Sequence, residues 1–294
     1  MIERIESLAN PLVKELRALR TPKGRDEQQR FLAEGAWMLA EAEAGGWRPQ
    51  LLLVDGSTVR GAAATYAARA DRVIETTADV LAKITGRENP QPILAVFAEP
   101  DPAARDVARI VPASAPRWLL LESPRDPGNL GSCIRSADAV GAGGIIIAGT
   151  PCDPYSIEVV RASMGSIFAV PVYRLSQGEA LSFVARWPGA TVAGALEGSS
   201  DYAEVDYRAP ALIVIGNEAD GLSDPLRASC AAVARIPMFG RAESLNLAVA
   251  AAIILFAAGR SPSAGRRSRS SRRSAASACG RAVGRTPSGA RGCR

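Results

Sequence analysis

Along the second half of the chain, short apolar blocks at 118–121, 144–147, 168–173, 191–196 and 212–215 end in glycine-containing or polar loops. Between them, residues 130–140, 156–164 and 180–187 have helix-like composition, and 235–238 feeds a further glycine turn. Continuous β-branched and leucine blocks are the mark of strands buried on both faces. Their alternation with helices predicts a parallel sheet covered on both sides. Residues 247–256 carry no polar face at all, which predicts a helix buried all round.

The first 97 residues alternate in the same way. Asn10-Pro11 is an N-cap followed by proline at the first helical position. Leu12, Val13, Leu16 and Leu19 then line one face, with Lys14, Arg17 and Arg20 off it and Lys23 and Arg25 in the following loop. Those cations are either a solvated face or a phosphate-contact surface. Strands are predicted at 30–32, 51–54, 72–75 and 93–97, and helices at 35–44, 62–70 and 78–84, giving a small α/β domain. Pro100, Pro102, Pro112 and Pro116 break any period across 99–117, which reads as a linker with at most one helical turn. The predicted divisions are a domain at 1–98, a linker at 99–116, a second domain at 117–259 and a disordered tail at 260–294.

Composition narrows the function classes. There is no histidine among the 294 residues, so Ser-His-Asp and Cys-His devices and imidazole metal sites are excluded, and no metal is expected. The five cysteines, Cys133, Cys152, Cys230, Cys279 and Cys293, have no zinc-like spacing and suit free thiols in a reducing compartment. The longest apolar run ends at Gly259, short of the roughly 20 residues that span a bilayer. Nothing after Met1 resembles an export signal, so a cytoplasmic, membrane-free protein is expected. The net charge of +5 belongs to the tail: ten of the 35 basic residues lie at 260–294 with no acid, leaving 25 against 30 acidic residues before them. Nucleic-acid binding by the body, with its net charge of −5, therefore has to come from a local patch.

Polar residues gather where the predicted strands end, at the sheet edge where open α/β folds hold ligands. Gly216-Asn217-Glu218 and Gly221 follow the strand at 212–215, and Ser244 and Asn246 precede the apolar helix. Ser244 is either a site residue or only the N-cap of that helix. Asp126-Pro-Gly128 turns into a helix that carries Arg135, an anion contact or a solvated side chain. No Gly-x-Gly-x-x-Gly follows the first strand of this half, so a standard dinucleotide fold is not expected.

Assembled in order, these blocks resemble the SpoU (TrmH-like) branch of the SPOUT methyltransferases. The likeness rests on Asp126-Pro-Gly-Asn129-Leu-Gly131 with Arg135, on 212–223 with Gly216-Asn217-Glu218, and on Ile236-Pro-Met through Ser244-Leu245-Asn246. Arg161-Ala-Ser-Met-Gly165 adds a smaller match, and Phe31-Leu-Ala-Glu34-Gly35 with Pro90-Gln91 resembles an L30e-like substrate-binding domain. Ala219, Ala248 and Pro92 depart from the family pattern without touching a proposed catalytic group.

The resemblance implies S-adenosylmethionine as cofactor, methyl transfer to a ribose 2′-hydroxyl of structured rRNA or tRNA, a deep trefoil knot, and a homodimer sharing its active site. It places Leu196, Gly216, Ile236 and Leu245 at the cofactor and Asn129, Arg135, Glu218, Ser244 and Asn246 on the catalytic side. It also gives Arg135 the hydroxyl proton. Because a guanidinium is a poor base, the chemistry favours a grip on the neighbouring phosphate and stabilisation of the developing alkoxide. The rival class is a non-catalytic structured-RNA-binding protein that keeps the fold.

Overall fold

The strand blocks form two sheets in a computed structural model that describes residues 3–57 and 68–260. The predicted helix at 62–70 falls mainly, and the tail from 261 onward wholly, outside the described residues. The first sheet contains β1 (Glu3–Arg4), β2 (Arg30–Glu34), β3 (Leu51–Asp55), β4 (Arg72–Thr76) and β5 (Ile93–Ala98) in the order β1-β4-β3-β5-β2. It is mixed: β1, β4 and β3 run parallel, whereas β5 is antiparallel to both β3 and β2. Helices α1 (Pro11–Ala18), α2 (Pro22–Gln28), α3 (Ala36–Ala44) and α4 (Ala78–Thr85) accompany it.

The second sheet contains β6 (Arg117–Glu122), β7 (Ile145–Ala148), β8 (Val172–Leu175), β9 (Thr191–Gly194), β10 (Ser200–Asp201), β11 (Ala211–Ile215) and β12 (Ala232–Arg235). Its order is β10-β12-β9-β11-β6-β7-β8, and every pairing is parallel. The predicted all-parallel α/β sheet is therefore present. Alternate residues feed two cores: Leu119, Leu121, Ile145, Ile147 and Ile213 face one, while Trp118, Leu120, Ile146, Leu212 and Val214 face the other. This two-residue period is why each strand reads as a solid apolar block. Helices α5 (Pro127–Val140), α6 (Ile157–Ala162), α7 (Gln177–Ala185), α8 (Asp224–Ala228) and α9 (Leu247–Ala258) cover the sheet.

Several boundaries moved for local reasons. Helix α5 starts at Pro127, ahead of the predicted Leu130, because Asp126 caps it by accepting from the Asn129 amide at 2.7 Å. The strand expected at 168–173 is displaced to β8, since 166–168 is a 3-10 turn opened by Gly165 at φ +94°. The strand near 235 is β12, which ends at Arg235, so 236–238 is its exit toward the glycine turn. Between the sheets, 99–116 contains three 3-10 turns instead of one helical turn.

Two expectations fail outright. Arg25 is not a solvated loop cation: it lies on α2 and is 1% exposed. Its Nε and Nη2 contact Asp153 at 2.7 Å, and its Nη1 donates to the Leu19 carbonyl at 2.7 Å. Sequence pattern missed this because the partner is 128 residues away. Helix α9 is not buried all round either, since Val249 and Phe256 stand about half exposed in the single chain.

Asp153 also accepts from Arg174 at 3.0 Å, and Glu99 lies in the same polar seam between the two sheets. Burial, then Asp153 and more weakly Asp26, push the Glu99 carboxyl up to about 7, against the opposing pull of Arg174 and Arg25. A carboxyl raised from 4.5 holds its proton in the fold after the open chain has released it. Its contribution to stability is thus full below pH 4.5 and is lost as pH rises to about 7. Glu99→Gln should flatten that segment of a melting-temperature profile against pH; an unchanged slope would assign the effect elsewhere.

Candidate active site

The loop after β11 is built by its own backbone. Asn217 and Gly221 exchange N–H to carbonyl bonds at 3.1 and 3.2 Å, and the Asn217 Oδ1 accepts from the amides of Ala219 and Asp220, both at 2.9 Å. Gly221 takes a φ of +68°, and a Cβ on Gly216 would collide with the Gly221 and Leu222 backbone. Glycine is required at 216 for that close approach. The Asn217 Oδ1 is spent on the turn itself, while the residue also borders the cleft.

This loop, the end of β9 and residues 236–245 enclose a cleft of about 440 Å3. Leu196, Gly216, Ile236 and Leu245, the four residues expected at a cofactor, all border it, together with Glu218 and Ser244. Its size falls in the range of small-molecule sites. The lining mixes apolar side chains with loop backbone, which suits an adenosine-bearing molecule whose ring needs apolar walls and whose edges need backbone partners.

A second line of polar groups runs from the cleft. The Asn129 Nδ2 donates to Glu218 Oε1 at 2.8 Å, and the Asn246 Nδ2 donates to Asn129 Oδ1 at 2.7 Å. The Asn246 Oδ1 accepts from the amides of Ala248 and Val249 at 2.9 and 3.3 Å, so Asn246, not Ser244, is the N-cap of α9. A carboxylate can only accept, which fixes both amide orientations in this chain. Burial pushes the Glu218 carboxyl up, but bonds from Asn129 and from backbone amides at 218, 125 and 126 outweigh it and hold it below the usual range. Glu218 therefore stays ionised and acts as an anchor more than as a base.

Arg135 is not gathered into this group. It lies exposed on α5 and makes no side-chain hydrogen bond or ion pair among the described residues. Six residues separate it from Asn129, which turns the two side chains about 120° apart around the helix.

Some supporting residues carried no sequence signal. Buried Glu122 accepts from the Ser223 amide at 2.8 Å, from its hydroxyl at 2.7 Å and from Gln177, pinning the far end of the 216–223 loop. Arg125 ties the start of α5 to the same loop through Asp220 at 2.6 Å. Arg227 bonds Asp224 at 2.5 Å and Glu197 at 3.4 Å along the rim of the cleft. Each pair is distant in sequence or sits on the short α8, so no periodicity marks it.

Residues 116–256 match the model of the SpoU rRNA Methylase family. The chain is 38% identical over 245 residues to the 23S rRNA (uridine(2479)-2'-O)-methyltransferase of Streptomyces viridochromogenes, covering 80% of this chain and 84% of that protein. It belongs to the SpoU family. A second relative, the 23S rRNA (guanosine(2553)-2'-O)-methyltransferase RlmP of Bacillus subtilis, is 30% identical over 87% of this chain and 98% of its own length. Residues 10–95 match the MRM3-like substrate binding domain. Among solved structures, an AdoMet-bound rRNA methyltransferase from Sinorhizobium meliloti superimposes with a TM-score of 0.80 at 41% identity, over 88% of this chain and 98% of that one.

Proposed function

We propose that this SpoU chain transfers a methyl group from S-adenosylmethionine to a ribose 2′-hydroxyl of ribosomal RNA. The observation that carries the reading is the hydrogen-bonded row Asn246–Asn129–Glu218, which ends on the rim of a glycine-floored cleft. When bound, the cofactor supplies the electrophilic methyl group. The protein's task is then alignment and control of charge at the attacking oxygen.

In this reading Leu196, Gly216, Ile236 and Leu245 hold the cofactor, mainly through backbone groups and apolar contact. Asn129 and Ser244 face the ribose. Glu218 and Asn246 hold Asn129 in one orientation from either side. Arg135 binds the phosphate beside the target ribose and stabilises the developing alkoxide, leaving the proton to phosphate or water.

We further propose a homodimer in which Arg135 completes the partner's site. Two features support it: the guanidinium has no partner among the described residues, and the exposed Val249 and Phe256 lie seven residues apart on one stripe of α9. The strand order, with β11 seated between β6 and β9, is compatible with a trefoil threading of the C-terminal segment. We divide the chain into a substrate-binding part at 1–98, a linker at 99–116 and a catalytic part at 117–259, and take the L30e-like part to hold RNA.

Calorimetric titration with S-adenosylmethionine, followed by transfer of labelled methyl to deproteinised rRNA and bulk tRNA, tests the function. Saturable cofactor binding and incorporation at a 2′-oxygen are expected. A folded protein that binds RNA but no cofactor would instead be a non-catalytic RNA binder.

A further inference from the structure

Away from the cleft, the largest exposed aromatic held in place by another element is Trp37, on the first turn of α3 and 60% exposed. Its indole N–H donates to the Met164 carbonyl at 3.2 Å, which fixes the ring across the junction of the two sheets. Met164 itself has a φ of +51° and stands about half exposed beside it. A tryptophan pinned by its only donor still presents a bare ring face, which is a stacking platform.

Arginines lie on the side of α3 toward Glu34. Arg161 donates from Nε and Nη2 to Glu34 Oε2 at 3.1 and 2.7 Å, and Arg87 Nη1 approaches the same oxygen at 3.6 Å. Two partly exposed guanidiniums thus share one carboxylate that is itself 3% exposed. Its other oxygen, Oε1, is buried with no partner. Next along the chain, Gly86 adopts φ +74° beneath the guanidinium of Arg20, which occupies the space a side chain would need. Arg20 is exposed and makes no ion pair among the described residues. Further acids stand near this track: Glu41 packs under Gly165, exposed Glu88 follows Arg87, and exposed Glu158 lies one turn before Arg161 on α6. Along the way to Trp37 the cations offered to solvent are Arg20, which has no ion pair among the described residues, and Arg87, which is only partly covered at Glu34.

We propose that Trp37 stacks an unpaired base of the RNA substrate, while Arg20 and Arg87 contact the phosphates that lead to it. The inference rests on the RNA-modifying function above and adds a second contact surface, outside the lining of the cleft. Base–aromatic stacking and arginine–phosphate contact are what exposed arginines beside a rigid, open ring provide, and an apolar protein partner would have no use for the arginines.

The test is steady-state methyl transfer to deproteinised rRNA by wild type, Trp37→Ala, Trp37→Phe, Arg20→Gln and Arg87→Gln. Trp37→Ala should raise KM for RNA by roughly 5- to 150-fold, the loss of one stacked base, with kcat at saturating RNA and cofactor affinity unchanged. Trp37→Phe should keep most of the affinity. Each arginine variant should lower the slope of log KM against log salt by about 1. Independently of folding in the variants, rRNA should shield wild-type fluorescence from iodide, because Trp118 and Trp187 are buried and Trp37 is the strongly exposed tryptophan.

An unchanged KM in a folded Trp37→Ala, or iodide quenching unaffected by bound RNA, overturns the seat while leaving the function standing. A wild-type chain that transfers no methyl group refutes the function instead, and the quenching experiment still reads the seat.

Discussion

Arg135→Ala should lower kcat for RNA methylation by at least about 100-fold, the scale of removing one preorganised charge-stabilising group. Affinity for S-adenosylmethionine should stay within a factor of about 2, a free-energy change below roughly 0.5 kcal/mol. The asymmetry follows from geometry. Arg135 is exposed, makes no side-chain bond among the described residues and does not border the cleft, so its loss leaves the cofactor walls and the fold untouched. Mixing Arg135→Ala with an Asn129→Ala variant should restore activity in the heterodimers if the two residues serve one site from different protomers. A variant retaining most of its rate would remove Arg135 from the reaction.

Gly216→Val should abolish cofactor binding. A branched side chain there would have to occupy the position of the Gly221 and Leu222 backbone, and those groups cannot move without breaking the Asn217–Gly221 pairing that shapes the loop. Overpacking of this kind costs about 1–3 kcal/mol where neighbours can yield, and here the neighbours are backbone. Titration calorimetry should therefore detect no saturable binding, while circular dichroism should find the sheet present, since β11 ends at Ile215 before the change. Binding at wild-type affinity would mean the loop has another conformation open to it.

Most strands were legible because burial on both faces leaves a continuous apolar block, as in Leu119 to Leu121 or 212–215. The four residues proposed at the cofactor were legible through the family motifs, and all four border one cleft. Pattern misled where partners are remote. Arg25 sits in a polar, loop-like stretch that no periodicity marks as buried, yet it is the ion-pair partner of Asp153 across the sheets. The α9 helix reads as wholly apolar, yet only part of it packs in the core, while Val249 and Phe256 stand about half exposed.

By itself the amino-acid order determined the alternation of strands and helices, the parallel second sheet, and the identity of the polar residues at the strand ends. Those follow from local rules: side-chain period, capping and glycine at tight turns. Only the tertiary structure decided that Asn246 caps α9 and orients Asn129 at once, that Arg135 faces away from the cleft, and that Trp37 is pinned beside an arginine track. Such relations join residues up to 127 positions apart, and hydrogen bonds over that separation are set by how the two sheets pack together, which no local pattern encodes.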